Sequence, residues 1–127
     1  MKLSMGAWSF AFGPYAASPK SMEEIARRLA TSGFDGIELS GFPPHTTLAS
    51  YPTKSSRAEL KTFLDDLGLG ISGYSSDLGS VNPLVPENRQ AYLDHFKRLL
   101  ELCADLGSPM MRVDTVGAPG SIPDSDY

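Results

Sequence analysis

The sequence predicts an α/β fold of successive parallel βα units, amounting to the N-terminal half of an eight-stranded barrel. Segments of strand character alternate with amphipathic helices, each helix stops at a glycine that leads into the next strand, and the unit recurs about every 35 residues. Parallel strands joined by helices need right-handed crossovers, which leaves a doubly wound open sheet or a closed barrel. The doubly wound form usually carries a glycine-rich phosphate loop after its first strand. Here that strand runs into "AFGPYAASPKS", with no G-x-G-x-x-G. The TIM (β/α)8 barrel is therefore favoured. A whole one takes about 250 residues, so 127 supply about half.

The elements follow in order. "KLSMGAWSF", residues 2–10, reads as the first strand. In "SMEEIARRLATSG", Ser21 and Glu24 form a capping box, Met22, Ile25, Ala26 and Leu29 fall at helical spacing, and Gly33 ends the helix. "DGIELS", residues 35–40, is the second strand. "SRAELKTFLDDLG" repeats the grammar, with Ser56 and Glu59 as the box, Leu60, Phe63, Leu64 and Leu67 as the stripe, and Gly68 as the stop. "GISGYS", residues 70–75, is the third strand. A third helix runs from about Glu87 to Leu106, with Tyr92, Phe96, Leu99, Leu100 and Cys103 inward and Gly107 closing it. "MMRVDTV", residues 110–116, is the fourth strand, giving the order β1-α1-β2-α2-β3-α3-β4. In the final "GSIPDSDY", Ser121 and Pro123 resemble the start of a fourth helix that does not follow. Residues 1–127 thus read as a single incomplete barrel domain.

Composition narrows the function. With 41% hydrophobic and 20% charged residues the chain has material for one modest core. Its net charge of −4 and lack of a basic run disfavour nucleic acid. Cys103 is the only cysteine, which excludes a disulfide framework and a Cys-rich zinc site, and its spacing puts it on an apolar helix face as core. The opening "MKLSMGAWSFAFGPYAAS" has a lysine ahead of apolar residues, as a signal peptide does, but Ser4, Gly6 and Ser9 interrupt it. Nowhere do eighteen apolar residues run together, so no membrane partner and a cytoplasmic location are expected.

The candidate site follows from strand alternation. In "GIELS", Ile37 and Leu39 share the face that meets the helices, which sends Glu38 into the lumen. In "MMRVDTV" the same rule sends Met111 and Val113 outward and Arg112 and Asp114 inward. Layers in such a barrel draw side chains from alternate strands, so Glu38 and Arg112 are expected to meet, as a structural ion pair, as substrate contacts, or as both. Trp8 and Phe10 close the first strand on its inward phase and either stack on a sugar ring or fill the lumen. His45, in the proline-flanked "GFPPHTTL", either aims its imidazole into the mouth or is an ordinary loop histidine. Tyr74, Asp77 and Asp114 stand at strand ends as hydroxyl binders or solvated loop residues. His95 lies on the polar face of the third helix with no chemistry assigned.

The ordered set "WSF", "SGFDGIELS", "LGLGISGYSSD" and "LCADLGSPMMRVDTV" resembles the xylose-isomerase-like TIM barrels, and more narrowly their sugar phosphate isomerase/epimerase group. The resemblance spans the chain as the N-terminal half of that barrel. It implies an enzyme binding a divalent metal (Mn, Mg, Co or Zn) and moving a proton beside a sugar carbonyl, with a small-molecule sugar or sugar phosphate as substrate. In the family the metal ligands come mainly from the second half. Trp8, Phe10, Glu38, His45, Tyr74, Asp77, Arg112 and Asp114 are thus expected on the substrate side, none as a metal ligand, and the chain alone is expected to bind no metal and to be inactive. Related apurinic endonucleases use several histidines and a basic face, which this chain lacks. The competing expectation is a non-catalytic half-barrel that associates with itself or with a partner.

Overall fold

The computed structural model describes residues 1–114, apart from the side chain of Ser80. Strands β1 (Ser4–Gly6), β2 (Gly36–Ser40), β3 (Gly70–Ser75) and β4 (Met111–Arg112) alternate with helices α1 (Met22–Thr31), α2 (Lys54–Asp66) and α3 (Arg89–Leu106). The strands are all parallel and lie side by side in the order β1-β2-β3-β4. This is an α/β fold with the strand order of half a TIM barrel. The continuation of the last strand to Val116 and the helix start read at Ser121 and Pro123 lie outside the described residues.

Local chemistry sets the helix ends. Ser21 and Glu24 form the expected capping box at α1, each satisfying the other's backbone N–H. At α2 the box lies one turn earlier than expected. Thr53 caps and Ser56 answers it, while Glu59 accepts from Ser55 Oγ at 3.0 Å. Gly33, Gly68 and Gly107 follow the three helices with φ of 80°, 74° and 69°, the left-handed stop expected of them.

The core lies between the sheet and the helices. Ile37, Leu39 and Tyr74 present the sheet's helix-facing side, and Ile25, Leu29, Leu64, Leu99, Leu102 and Leu106 pack onto it, all almost fully buried. Each such side chain contributes about 1.5–3 kcal/mol. Cys103 joins this core, and burial pushes its thiol up to about 11, away from thiolate chemistry.

Two expectations about α3 need correction. It starts at Arg89, after a 3-10 turn over Pro86–Asn88, and Leu100 is 44% exposed while Leu102 and Leu106 are buried. Successive residues sit about 100° apart on a helix, which puts Leu100 on one flank of the buried line through Leu99 and Asp105 on the other. That second flank meets α2, where Arg57 Nη1 lies 2.7 Å from Asp105 Oδ2 and Arg57 Nε donates to Tyr51 O at 3.0 Å. Among the described residues no helix covers the Leu100 side.

Candidate functional site

Glu38 projects from β2 between Ile37 and Leu39, both fully buried against the helices, and so stands on the lumen face as alternation requires. Opposite it in the register of β1 is Gly6. β1 stops there, and the chain turns into a 3-10 helix over Ala7–Phe10. Trp8 and Phe10 therefore do not continue a strand. Trp8 folds back over the space a Gly6 side chain would take, and its Nε1 donates to Glu38 Oε2 at 2.9 Å. Phe10 turns the other way, into the helix-side core, 5.4 Å from the ring of Tyr15. It lines no lumen.

Arg112 completes the cluster from β4. Its Nη1 lies 3.9 Å from Glu38 Oε1, its Nε 3.1 Å from Asp114 Oδ1, and its Cζ 6.0 Å from the centre of the Trp8 ring. The expected approach of Glu38 and Arg112 is thus at the outer edge of a salt bridge, and the guanidinium lies closer to Asp114. Their side chains are 26%, 44% and 53% exposed for Glu38, Arg112 and Asp114, so the charges are solvated rather than held by burial. Each pair contributes about 0–1 kcal/mol, which leaves the groups free to exchange partners with a ligand's hydroxyls. Towards the other end of the strands, Ser4 and Ser72 share a 2.6 Å hydrogen bond, Ser4 standing opposite Gly36, which has no side chain in the way.

The remaining candidates are elsewhere. His45 is fully buried rather than in the mouth. Thr46 N donates back to Ser40 O at 2.8 Å, which folds the loop onto the end of β2 and tucks the ring under the chain before α1, where Nε2 donates to Lys20 O at 3.0 Å. Burial lowers its proton affinity, partly offset by that carbonyl. Tyr74 is also fully buried, its hydroxyl donating to Thr46 O at 2.9 Å. A bulge in the pairing of β2 and β3, between Ile37 and Glu38, turns Tyr74 to the helix side beside Leu39. Burial, with the Asp77 charge nearby, pushes its phenol far up, so it is neither a lumen donor nor an acid. Asp77 is half-buried and accepts from His95 Nε2 at 2.7 Å. His95 is the residue that the sequence left without a role. A separation of 18 residues and a position on a polar helix face gave no signal of the contact.

These positions bear on whether a divalent metal fits. Glu38 and Asp114 have Arg112 between them, Asp77 is committed to His95, and His45 is sealed in. Among the described residues no three His, Cys, Asp or Glu side chains converge. A divalent ion is not accommodated by this set. No described helix is long and apolar enough to cross a membrane.

Comparison with known proteins agrees with the fold. A family model described as xylose isomerase-like TIM barrel matches residues 26–127. No curated protein matches the chain. With that match over most of its length and four consecutive parallel βα-type strands, the chain belongs to the xylose isomerase-like TIM barrel family.

Proposed function

We propose that the chain supplies the substrate side of a sugar isomerase or epimerase pocket, acting on a free or phosphorylated sugar in the cytoplasm. The supporting observation is the cluster of Trp8, Glu38, Arg112 and Asp114 on the lumen face, near the C-terminal ends of the strands where barrel enzymes bind their substrates. Its parts suit a polyol. Glu38 and Asp114 accept from hydroxyls, Arg112 donates to ring and carbonyl oxygens, and the 38% exposed indole of Trp8 offers a flat apolar surface to the C–H face of a sugar. A bound divalent ion in such enzymes polarises the carbonyl and its neighbouring hydroxyl. The described residues do not provide its ligands, and the chain by itself is proposed to bind none and to be inactive.

The test uses Trp8, the one tryptophan of the sequence, as reporter. Aldoses and ketoses are titrated against its emission, with and without manganese or cobalt, and product formation is followed. A weak saturable response that disappears in Glu38→Gln, with no turnover, fits the proposal. No response to any sugar would remove Trp8 and Glu38 from the substrate side. Turnover abolished by chelator and by Glu38→Gln would instead make Glu38 a ligand or base.

A further inference from the structure

The two edges of the sheet are complementary to each other. Leu3 O on β1 accepts from Asp35 N and Gly36 N, and backbone groups alternate sides along a strand, so the groups of Ser4 and the N–H of Gly6 point to the free edge. On β4, Met110 O and Arg112 O accept from Tyr74 N and Ser76 N, which sends the groups of Met111 and Val113 to the other free edge. Among the described residues no strand lies beyond either edge. The side chains agree with the backbone. Met5 pairs with Ile37 and Val113 is in phase with Met111, so both stand on the helix-facing side of their edges, and both are exposed. Joining β4 of one copy to β1 of another, in parallel, sets these two apolar side chains together.

Geometry then limits the number of copies. On a flat sheet β1 and β4 would be about 14 Å apart, three strand spacings, yet Trp8 and Arg112 from the two edges converge over the lumen face, Cζ lying 6.0 Å from the ring centre. Four adjacent strands of an eight-stranded barrel cover half its circumference, so an edge-to-edge contact closes after one two-fold step instead of extending into a filament. The lumen charges are compatible with this closure. Glu38 and Arg112, 3.9 Å apart, stand two strands apart at one height, and a two-fold axis along the barrel keeps heights unchanged. The layer from the even strands would then read Glu38, Arg112 and the second copy's Glu38 and Arg112, with sign alternating round the ring. No like charges become neighbours in it. Asp114, two residues on and more exposed, stands above this layer at the mouth.

We propose that two copies of this chain close an eight-stranded barrel about a two-fold axis, the β4 edge of each pairing in parallel with the β1 edge of the other. The arrangement stands apart from the sugar-binding reading and does not depend on it.

Sedimentation of the chain over a range of concentrations tests the number of copies. The mass should level off at twice 13.7 kDa. A single-chain mass throughout, or growth beyond two chains, overturns the proposal. Val113→Pro tests the edge, because proline removes the outward N–H while Arg112 O still accepts from Ser76 N, and it should give a monomer with an unchanged circular dichroism spectrum. A two-chain mass retained in this variant places the contact elsewhere and overturns the assignment. The shared layer is tested by charge exchange at low salt. Glu38→Arg or Arg112→Glu alone would put four like charges in the ring and should stay monomeric, whereas an equimolar mixture restores two of each sign and should give the two-chain mass. Two-chain mass in either variant alone, or none in the mixture, overturns the shared lumen.

Discussion

Replacing Gly6 with alanine probes how the lumen cluster is held. The Gly6 backbone, at φ −76° and ψ 125°, lies in the extended region open to any residue, so alanine brings no backbone strain. Its Cβ would, however, lie 2.8 Å from both Glu38 Oε2 and Trp8 Cδ1, and it would overlap Trp8 Nε1. The hydrogen bond of 2.9 Å between Trp8 and Glu38 occupies that space and must break. Two opposing terms set the stability change. A hydrogen bond to a charged acceptor contributes about 1.5–3 kcal/mol net, and nearer 1 kcal/mol here because Trp8 is 38% exposed and water replaces its partner. Glycine to alanine at a compatible backbone position restores about 0.4–1 kcal/mol by restricting the unfolded chain. The two nearly cancel. Chemical denaturation should therefore give a stability within about 1 kcal/mol of the parent. The Trp8 emission should shift to the red, and quenching by acrylamide should rise as the indole swings into water. Unchanged emission would show that the indole does not rest where Gly6 leaves room. A loss of several kcal/mol would show that Trp8 cannot leave, and either result refutes the reasoning.

Two further outcomes are expected. Burial holds the His45 imidazole below its usual proton affinity, so the unfolded chain takes up the proton first as pH falls. Stability from this group is full above about pH 6.5 and declines below it by at most about 1.4 kcal/mol per pH unit, until the lower folded value is passed. Urea midpoints on both sides of that pH should fall more steeply for the parent than for His45→Asn; equal slopes would count against the buried imidazole. The exposed large apolar side chains fall before α1, as with Leu3, Met5 and Phe12, or from Leu84 onward, as with Leu93, Leu100 and Val113, so they flank the two sheet edges at β1 and β4. Such edges invite pairing, and light scattering should show the chain associating as concentration rises, whereas a stable cooperative monomer would contradict this.

The sequence made the repeated unit legible because capping boxes, helical stripes and closing glycines are local signals. Alternation placed Glu38 correctly for the same reason, since Ile37 and Leu39 on either side of it have only one apolar surface to meet. What escaped depends on contacts between distant residues or on the chain leaving regular structure. "WSF" has strand composition, yet β1 ends at Gly6 and the 3-10 turn sends Trp8 and Phe10 to opposite sides of the sheet. A proline-flanked loop suggested an exposed His45, but its backbone folds back to Ser40 and buries the ring. Nothing in the sequence singled out Arg57, because its partner Asp105 lies 48 residues away across the interface between α2 and α3.

The β2–β3 bulge links these successes and failures. Ile37 pairs with Ile71, but Glu38 pairs with Gly73 and Leu39 with Tyr74, so β3 gains one residue, Ser72, against its neighbour. Strict alternation along "GISGYS" would put Tyr74 on the same side as Ser72 and opposite Ile71. The extra residue reverses that phase, and Tyr74 joins Ile71 on the helix side, where its hydroxyl reaches Thr46 and seals the loop that buries His45. β4 pairs with β3 in this phase without a further irregularity. Tyr74 pairs with Met111 and Ser75 with Arg112, so Met111 packs into the core and Arg112 emerges on the lumen face beside Glu38. The bulge thus keeps a tyrosine out of the candidate pocket, while the arginine of β4 stands on the lumen face that its own alternation with Met111 gives it. A regular β3 would turn Tyr74 into the lumen and away from Thr46, so the cover over the buried His45 depends on the doubling of Ser72 and Gly73 on one face.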